Sequence, residues 1–449
     1  MTLPPKPPSR APRVSLWRYG RLFRQDILSA QPERLYRAWM AEFRTPFFRS
    51  YLANDPALVR TVLKERPQDF PKSDRVGEGL RPLLGNSVFL TNGATWERQR
   101  RIIDPAFEGG RLRDSFAAVE QAAIAAATRI KTQIGQTVEM EAEASHAAAD
   151  AIFRTLFSIP IEDRVADLTY DAFRQYQRSQ PILNIAAFLP LPHWMPRGFK
   201  RATRRSAAEI RTLIHDMTAQ RQLQIAEGTA PQDLATKIMT TPDPETGETF
   251  DVDEMVDQVA IFFLAGHETS ASSLAWALYL LALYPEWQDR VAGEAQSFGD
   301  DFSSLSGLRV TRDVFRETLR LYPPVPMMVR ETTQPEAFRN RDMPVKAQVV
   351  ISPWHVHRHS RLWNNPDAFD PGRWQTEQGR QSARDAYLPF SAGRRVCPGA
   401  GFAMMEGVLM LAHVLRAVRV ELTHDPAPVP VAHLTVRARN GIRLRIVRR

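Results

Sequence analysis

The chain has 449 residues and a single cysteine, Cys397. It therefore folds without any internal disulfide, and it holds no site that needs four cysteine ligands. A lone cysteine is ordinarily a small buried hydrophobe. This one lies in Phe390-Ser391-Ala392-Gly393-Arg394-Arg395-Val396-Cys397-Pro398-Gly399. Glycine 393 lets an irregular loop turn and deliver the cysteine to the start of a helix, with Pro398 expected at the first helical position. Free backbone N–H groups and the helix dipole at that position are expected to lower the thiol pKa, presenting a thiolate on a rigid turn. Arg395 is placed to meet an anionic group on whatever the sulfur carries.

Upstream, the pattern is helix-dominated. Apolar periodicity marks helices over residues 33–45, 55–65, 95–103, 116–134, 142–157, 168–177 and 199–223. The longest helical stretch runs from Val252 to Tyr284 and stops at Pro285. Helices over 286–298, 310–322 and 398–415 follow, with short strands at 46–53 and in the last third. Residues 1 to about 15 are proline-rich and basic and read as a flexible arm ahead of one domain over 16–449. Residues 181–198 join two helices with an unusually apolar linker, either a packed satellite core or a lid over a greasy pocket.

Apolar residues at 43% and charged residues at 24% exclude a disordered chain. Lys plus Arg outnumber Asp plus Glu by 59 to 50, a balance that suits an acidic partner or an anionic surface. Without zinc-finger spacing or an aromatic RNA-binding signature, nucleic acid is not expected. The segment after Val259 is interrupted by Gly-His-Glu-Thr-Ser, so no transmembrane segment is expected, and the reading is a cytoplasmic protein.

Three further motifs carry chemistry. Glu317 and Arg320 share one helix face at i,i+3 in an apolar helix that ends at Pro323-Pro324. Ala265-Gly266-His267-Glu268-Thr269-Ser270 puts polar residues inside the longest helix, where Thr269 is expected to bond back to the Ala265 carbonyl and Gly266 to admit a ligand close to the backbone. Trp96 and Arg100, at i,i+4, set an indole donor beside a guanidinium, a pair suited to a carboxylate.

Together these segments resemble the cytochrome P-450 family. Phe390, Gly393, Arg395, Cys397 and Gly399 match its haem-binding loop at every fixed position, and the other motifs follow in family order from about residue 35 to the end. The resemblance implies a single, mainly α domain with a minor β part, its haem b (iron protoporphyrin IX) lying between the longest helix and the cysteine loop. It implies Cys397 as axial ligand of the haem iron, and a structural charge triad of Glu317, Arg320 and Arg373. It makes Trp96, Arg100 and Arg330 propionate contacts, and gives Thr269 and Glu268 roles in oxygen activation and proton delivery. His267 is expected to be outward or hydrogen-bonded and not an axial ligand.

The implied activity is a monooxygenase that takes O2 and inserts one oxygen atom into a lipophilic substrate such as a fatty acid or terpenoid. No dinucleotide-binding fingerprint accompanies the motifs, so electrons are expected from a separate ferredoxin or flavodoxin with an NAD(P)H-dependent reductase. Pocket walls are expected at Leu83, Val88, Phe89, Phe262, Ala265, Gly266, Val325, Met327, Met328 and Leu434. The alternatives are a peroxide-driven peroxygenase of the same fold and a non-catalytic haem-thiolate sensor; the Glu268–Thr269 segment argues against both.

Overall fold

The computed structural model describes residues 2–44, 49–108, 110–179, 201–299, 301–432 and 434–449. The longest helix, Val252–Leu283, organises them. It opens on a capping box in which Asp251 accepts from the Glu254 N–H at 2.7 Å and Glu254 accepts from the Asp251 N–H at 3.2 Å. Pro285 follows its end and starts the next helix. Apolar on nearly every side, it is buried through most of its length, the behaviour expected of a core helix. The alanine-rich helix Met140–Phe157 packs along it, while Arg111–Lys131 packs on the C-terminal helix Ala400–Ala417. Small side chains let these axes approach. A β-carbon at Gly266 would lie 2.4 Å from Ile152 Cδ1, so the side where a side chain would stand is filled by the neighbouring helix, while the residue itself stays partly accessible.

A four-stranded sheet forms the second core. Its order is Met40–Arg44, Arg49–Ala53, Gln348–Ile351, Met328–Glu331, with a parallel pair in the middle and antiparallel pairs outside. Tyr51, Phe70, Val349, Trp363 and Trp374 pack around it. The sheet explains one difference from the sequence reading. Residues 33–45, expected as a helix, make one 3₁₀ turn at Glu33–Tyr36 and then the strand Met40–Arg44. Pairing with Arg49–Ala53 supplies backbone partners that no local pattern reveals.

Residues 2–10, read as part of an arm, are tied to the body. The Tyr284 and Tyr322 hydroxyls donate to the carbonyls of Thr2 and Pro5, and Lys6 pairs with Glu33 and Asp367. A helix the periodicity missed, Leu16–Gln25, follows. The apolar linker 181–198 lies outside the described residues. Ala400–Ala417 is long and apolar enough to cross a membrane, but most of it is buried in the core.

Candidate active site

The cysteine loop is closed by its own backbone: the Cys397 N–H donates to the Phe390 carbonyl at 2.9 Å. Gly393 sits at φ +70°, and a β-carbon there would lie 2.0 Å from the Leu63 carbonyl oxygen. Only glycine fits that turn. The helix that follows begins at Ala400, with Gly399 as N-cap, so Pro398 lies ahead of it and not at its first position. The thiol also differs from expectation. Cys397 keeps accessible surface, yet the protein around it is dense enough that burial pushes its pKa up, against smaller lowering effects of the Gly399 N–H and Arg100. Accessible and enclosed together describe a group facing an interior space. A coordinated metal cation would remove that proton outright.

Four cations gather beside the loop. Arg395 donates through Nη1 to the carbonyls of Pro67 (3.0 Å) and Phe70 (2.9 Å), with its guanidinium 5.2 Å from the Trp96 ring centroid. Arg100 donates to the Val396 carbonyl at 2.8 Å and pairs with Asp104 at 2.6 Å. Arg330 is buried and donates only to the neighbouring Val329 carbonyl, at 3.2 Å. Lys72, bridged to Arg330 through the backbone, reaches the carbonyls of Val88 (2.6 Å) and Phe89 (3.1 Å). Burial, and then Arg395, Arg330 and Arg100, pull the Lys72 pKa down to about 6. Burial and Arg395 pull Arg330 down to about 10. Asp104 pairs with Arg100 and the charge of Glu97 favours the Arg395 cation, while Lys72 and Arg330 have no carboxylate partner among the described residues. Such a cluster fits a ligand with two carboxylates. Lys72 went unnoticed in the sequence because it belongs to no motif; the chain fold alone brings it beside Arg330.

Each face of the longest helix has its own neighbour. Phe262, Ala265, Gly266 and Thr269, at i, i+3, i+4 and i+7, form its partly accessible stripe. Thr269 Oγ1 donates to the Ala265 carbonyl at 2.5 Å, as expected. His267 is buried with Nε2 2.6 Å from Ser145 Oγ, and burial lowers its pKa to about 3; it is held as a neutral ring away from the stripe. Glu268 accepts from Thr435 Oγ1 at 2.6 Å and from Arg437 at 2.8 Å. Ser270 bonds Glu406 of the C-terminal helix at 2.5 Å, and burial raises that acid's pKa to about 8. Thr435, Arg437 and Glu406 carry no local signal that would have picked them out.

The expected pocket residues divide. The Val88 N–H donates to Gln258 and the Asn86 N–H to Asp257, so this loop is pinned to the longest helix one to two turns before Phe262. The Val436 N–H donates to the Pro324 carbonyl at 2.9 Å, and Ser272 Oγ donates to the Val436 carbonyl, pinning the Leu434 and Val325 segments about two turns beyond Ala265. Phe89, Ala265, Val325 and Leu434 all keep accessible surface, while Val88, Phe262 and Met327 are half-buried. Leu83 is fully buried in the helical core, behind the wall it was expected to line; Met328 packs on the sheet core and, like Met327, keeps some accessible surface.

The charge triad is complete. Arg320 holds Glu317 through Nε (3.0 Å) and Nη2 (2.8 Å), Arg373 reaches the same carboxylate at 2.9 Å, and the Asp370 N–H adds a bond at 3.0 Å. Glu317 and Arg320 have no accessible surface. Burial alone would raise the Glu317 pKa, but Arg320 and Arg373 hold it below the usual range.

A family profile for cytochrome P450 matches residues 30–445. The chain is 33% identical over 404 residues to cyclooctat-9-en-7-ol 5-monooxygenase of Streptomyces melanosporofaciens, covering 87% of this chain and 83% of that one. It is 29% identical to human cytochrome P450 4A11, over 99% of this chain and 88% of the other. The heme domain of cytochrome P450DA superposes with a TM-score of 0.84 at 24% identity, covering 100% and 99% of the two chains. The chain belongs to the cytochrome P450 family. It is accordingly a haem-thiolate monooxygenase, a class that uses O2, a redox partner and an organic substrate.

Proposed function

We propose that this protein, as a single domain over 16–449, binds haem b through Cys397 and oxygenates a lipophilic substrate by hydroxylation or epoxidation. The enclosed, accessible thiol beside four cations is the observation that carries this reading. Phe390, Gly393 and Gly399 shape the loop that presents the sulfur. Arg100, Arg330, Arg395 and the Trp96 indole receive the propionates, joined by Lys72. The bound haem supplies the oxygen chemistry, its thiolate ligand favouring O–O cleavage.

The protein's own share is orientation, exclusion of water and proton handling. Thr269 Oγ1, donating to Ala265, turns its lone pairs to the accessible stripe, where it accepts and passes a proton. Glu268 delivers that proton when one carboxylate oxygen leaves Arg437. Val88, Phe89, Phe262, Ala265, Val325, Met327 and Leu434 present an apolar wall, which favours a fatty acid, terpenoid or related hydrocarbon. The name of the relative that oxidises cyclooctat-9-en-7-ol agrees with such a substrate. Electrons come from a separate ferredoxin or flavodoxin with its NAD(P)H-dependent reductase, in the cytoplasm.

The test is the carbon monoxide difference spectrum of dithionite-reduced protein beside Cys397→His. A strongly red-shifted Soret band lost in the variant is expected. A histidine-type band in folded wild type would withdraw the assignment. Thr269→Ala should keep that band and release more peroxide per NAD(P)H consumed; unchanged coupling would remove Thr269 from the proton path.

A further inference from the structure

The helix Leu16–Gln25 takes no part in the site described above. Residues 1–25 contain Lys6, Arg10, Arg13, Arg18, Arg21 and Arg24 and no Asp or Glu, so they carry +6 of the chain's net +9. The helix is amphipathic in an unusual sense. Its inner side holds Tyr19, Leu22 and Phe23: Tyr19 stacks on Phe43 of the first strand at 6.3 Å and meets Phe23 at 5.6 Å. Burial raises the Tyr19 pKa. That side fixes the helix to the sheet, so its outer side has a defined direction. At 100° per residue the outer stripe is Trp17, Arg21 and Arg24, with Arg18 and Gly20 flanking. Nothing lies within 4 Å of where a β-carbon on Gly20 would sit.

Trp17 is 84% exposed, the most exposed large apolar side chain among the described residues. Indole sits well at the headgroup level of a bilayer, and arginine is drawn to anionic lipid. The neighbouring acids do not cancel the charge. Asp26 is buried and accepts from the Leu28, Ser29 and Ala432 N–H groups. Glu42 is held by Arg44 and Arg341. Arg13, Arg18, Arg21 and Arg24 are all exposed and have no carboxylate partner among the described residues. We propose that the Trp17 face of this helix docks the protein on an anionic phospholipid bilayer, with the indole at headgroup depth and the four arginines against the lipid charge. The helix lies on the surface and does not span. An acidic protein would also suit the arginines, but the outward indole, 84% exposed, favours a lipid surface.

Flotation of full-length holoenzyme with phosphatidylglycerol–phosphatidylcholine vesicles, beside pure phosphatidylcholine, tests this. Binding to the anionic vesicles is expected, at least tenfold weaker on the neutral ones and largely released at roughly 0.5 M salt. Combining Arg18→Gln, Arg21→Gln and Arg24→Gln should weaken it about a hundredfold, at roughly fivefold per arginine. Arg439→Gln, Arg443→Gln and Arg445→Gln make the same change in net charge elsewhere and should weaken it less than about twofold. Trp17→Ser, at a side chain 84% exposed, should fold normally and still lose several-fold. The carbon monoxide band reports folding in every variant. Absent binding, equal binding to neutral vesicles, or equal losses in the two triple variants would each overturn the proposal. So would intact vesicle binding with slowed reduction by an acidic redox protein, which would make the face a protein dock.

Discussion

Two groups of buried charge lie on opposite terms with their surroundings. Around Glu317, each guanidinium touches a carboxylate: Arg320 and Arg373 share the one acid, and Arg320 spends its remaining donors on the carbonyls of His357, Pro366 and Ala368. Around Lys72, positive groups are packed together with carbonyl partners, and the two acids present act on Arg100 and Arg395, not on Lys72 or Arg330. The first arrangement is complete within the chain and stiffens it. The second is electrostatically unfinished, and its repulsion is relieved when an anion arrives. Compensation thus separates a structural cluster from a binding one, even where both are built largely from arginines.

Removing the shared acid from the paired cluster should have the largest effect. Glu317→Gln leaves Arg320 and Arg373 buried without a counter-charge and should cost roughly 3–5 kcal/mol. Chemical denaturation of the purified variant reads this out; a loss below about 1 kcal/mol would erase the contrast between the clusters.

The same kind of change in the unfinished cluster should have the opposite sign. Lys72→Met should stabilise the haem-free protein by roughly 1–3 kcal/mol while weakening haem retention. Because the folded-state Lys72 pKa is depressed to about 6, the wild type recovers stability as pH rises from 6 toward the usual lysine range. The advantage of Lys72→Met should therefore be greatest near pH 6 and fade at higher pH. A variant whose advantage grows with pH would contradict the cluster's electrostatics.

Glu406 sharpens the point with a single buried acid. Its pKa is raised to about 8, so its stabilising contribution is full below the usual carboxylate range and is lost as pH climbs to 8. Glu406→Gln should match wild type near pH 4.5 and exceed it by roughly 1–2 kcal/mol at pH 8. Parallel melting curves across that range would show that Glu406 stays ionised. The smallest effect is expected at Glu268. Arg437 is partly exposed, so Arg437→Gln should change stability by less than about 1 kcal/mol. Its effect should appear instead as a changed ratio of peroxide to product, measured with the reductase pair.

Much of this was legible in the chain. The long helices carry 3.6-residue periodicity and proline stops, and their predicted bounds fall within a few residues of those observed. The cysteine loop, the triad and the Thr269–Ala265 bond were legible because each depends on residues close in sequence or on a recognisable motif. The misreadings have a common cause. Residues 33–45 became turn and strand because a partner strand outcompeted local helical preference. Residues 2–10, read as part of an arm, are held because Tyr284 and Tyr322, distant in sequence, meet their carbonyls.

The sequence by itself therefore determined the class of protein, the helical frame and the position of the thiol, since periodicity, capping and a short motif are local properties. Only the tertiary structure decided that the thiol's pKa rises rather than falls, that Lys72 joins the arginines, and that Thr435 and Arg437 hold Glu268. Those outcomes depend on burial and on charges brought together from distant parts of the chain, and neither quantity exists until the chain has packed.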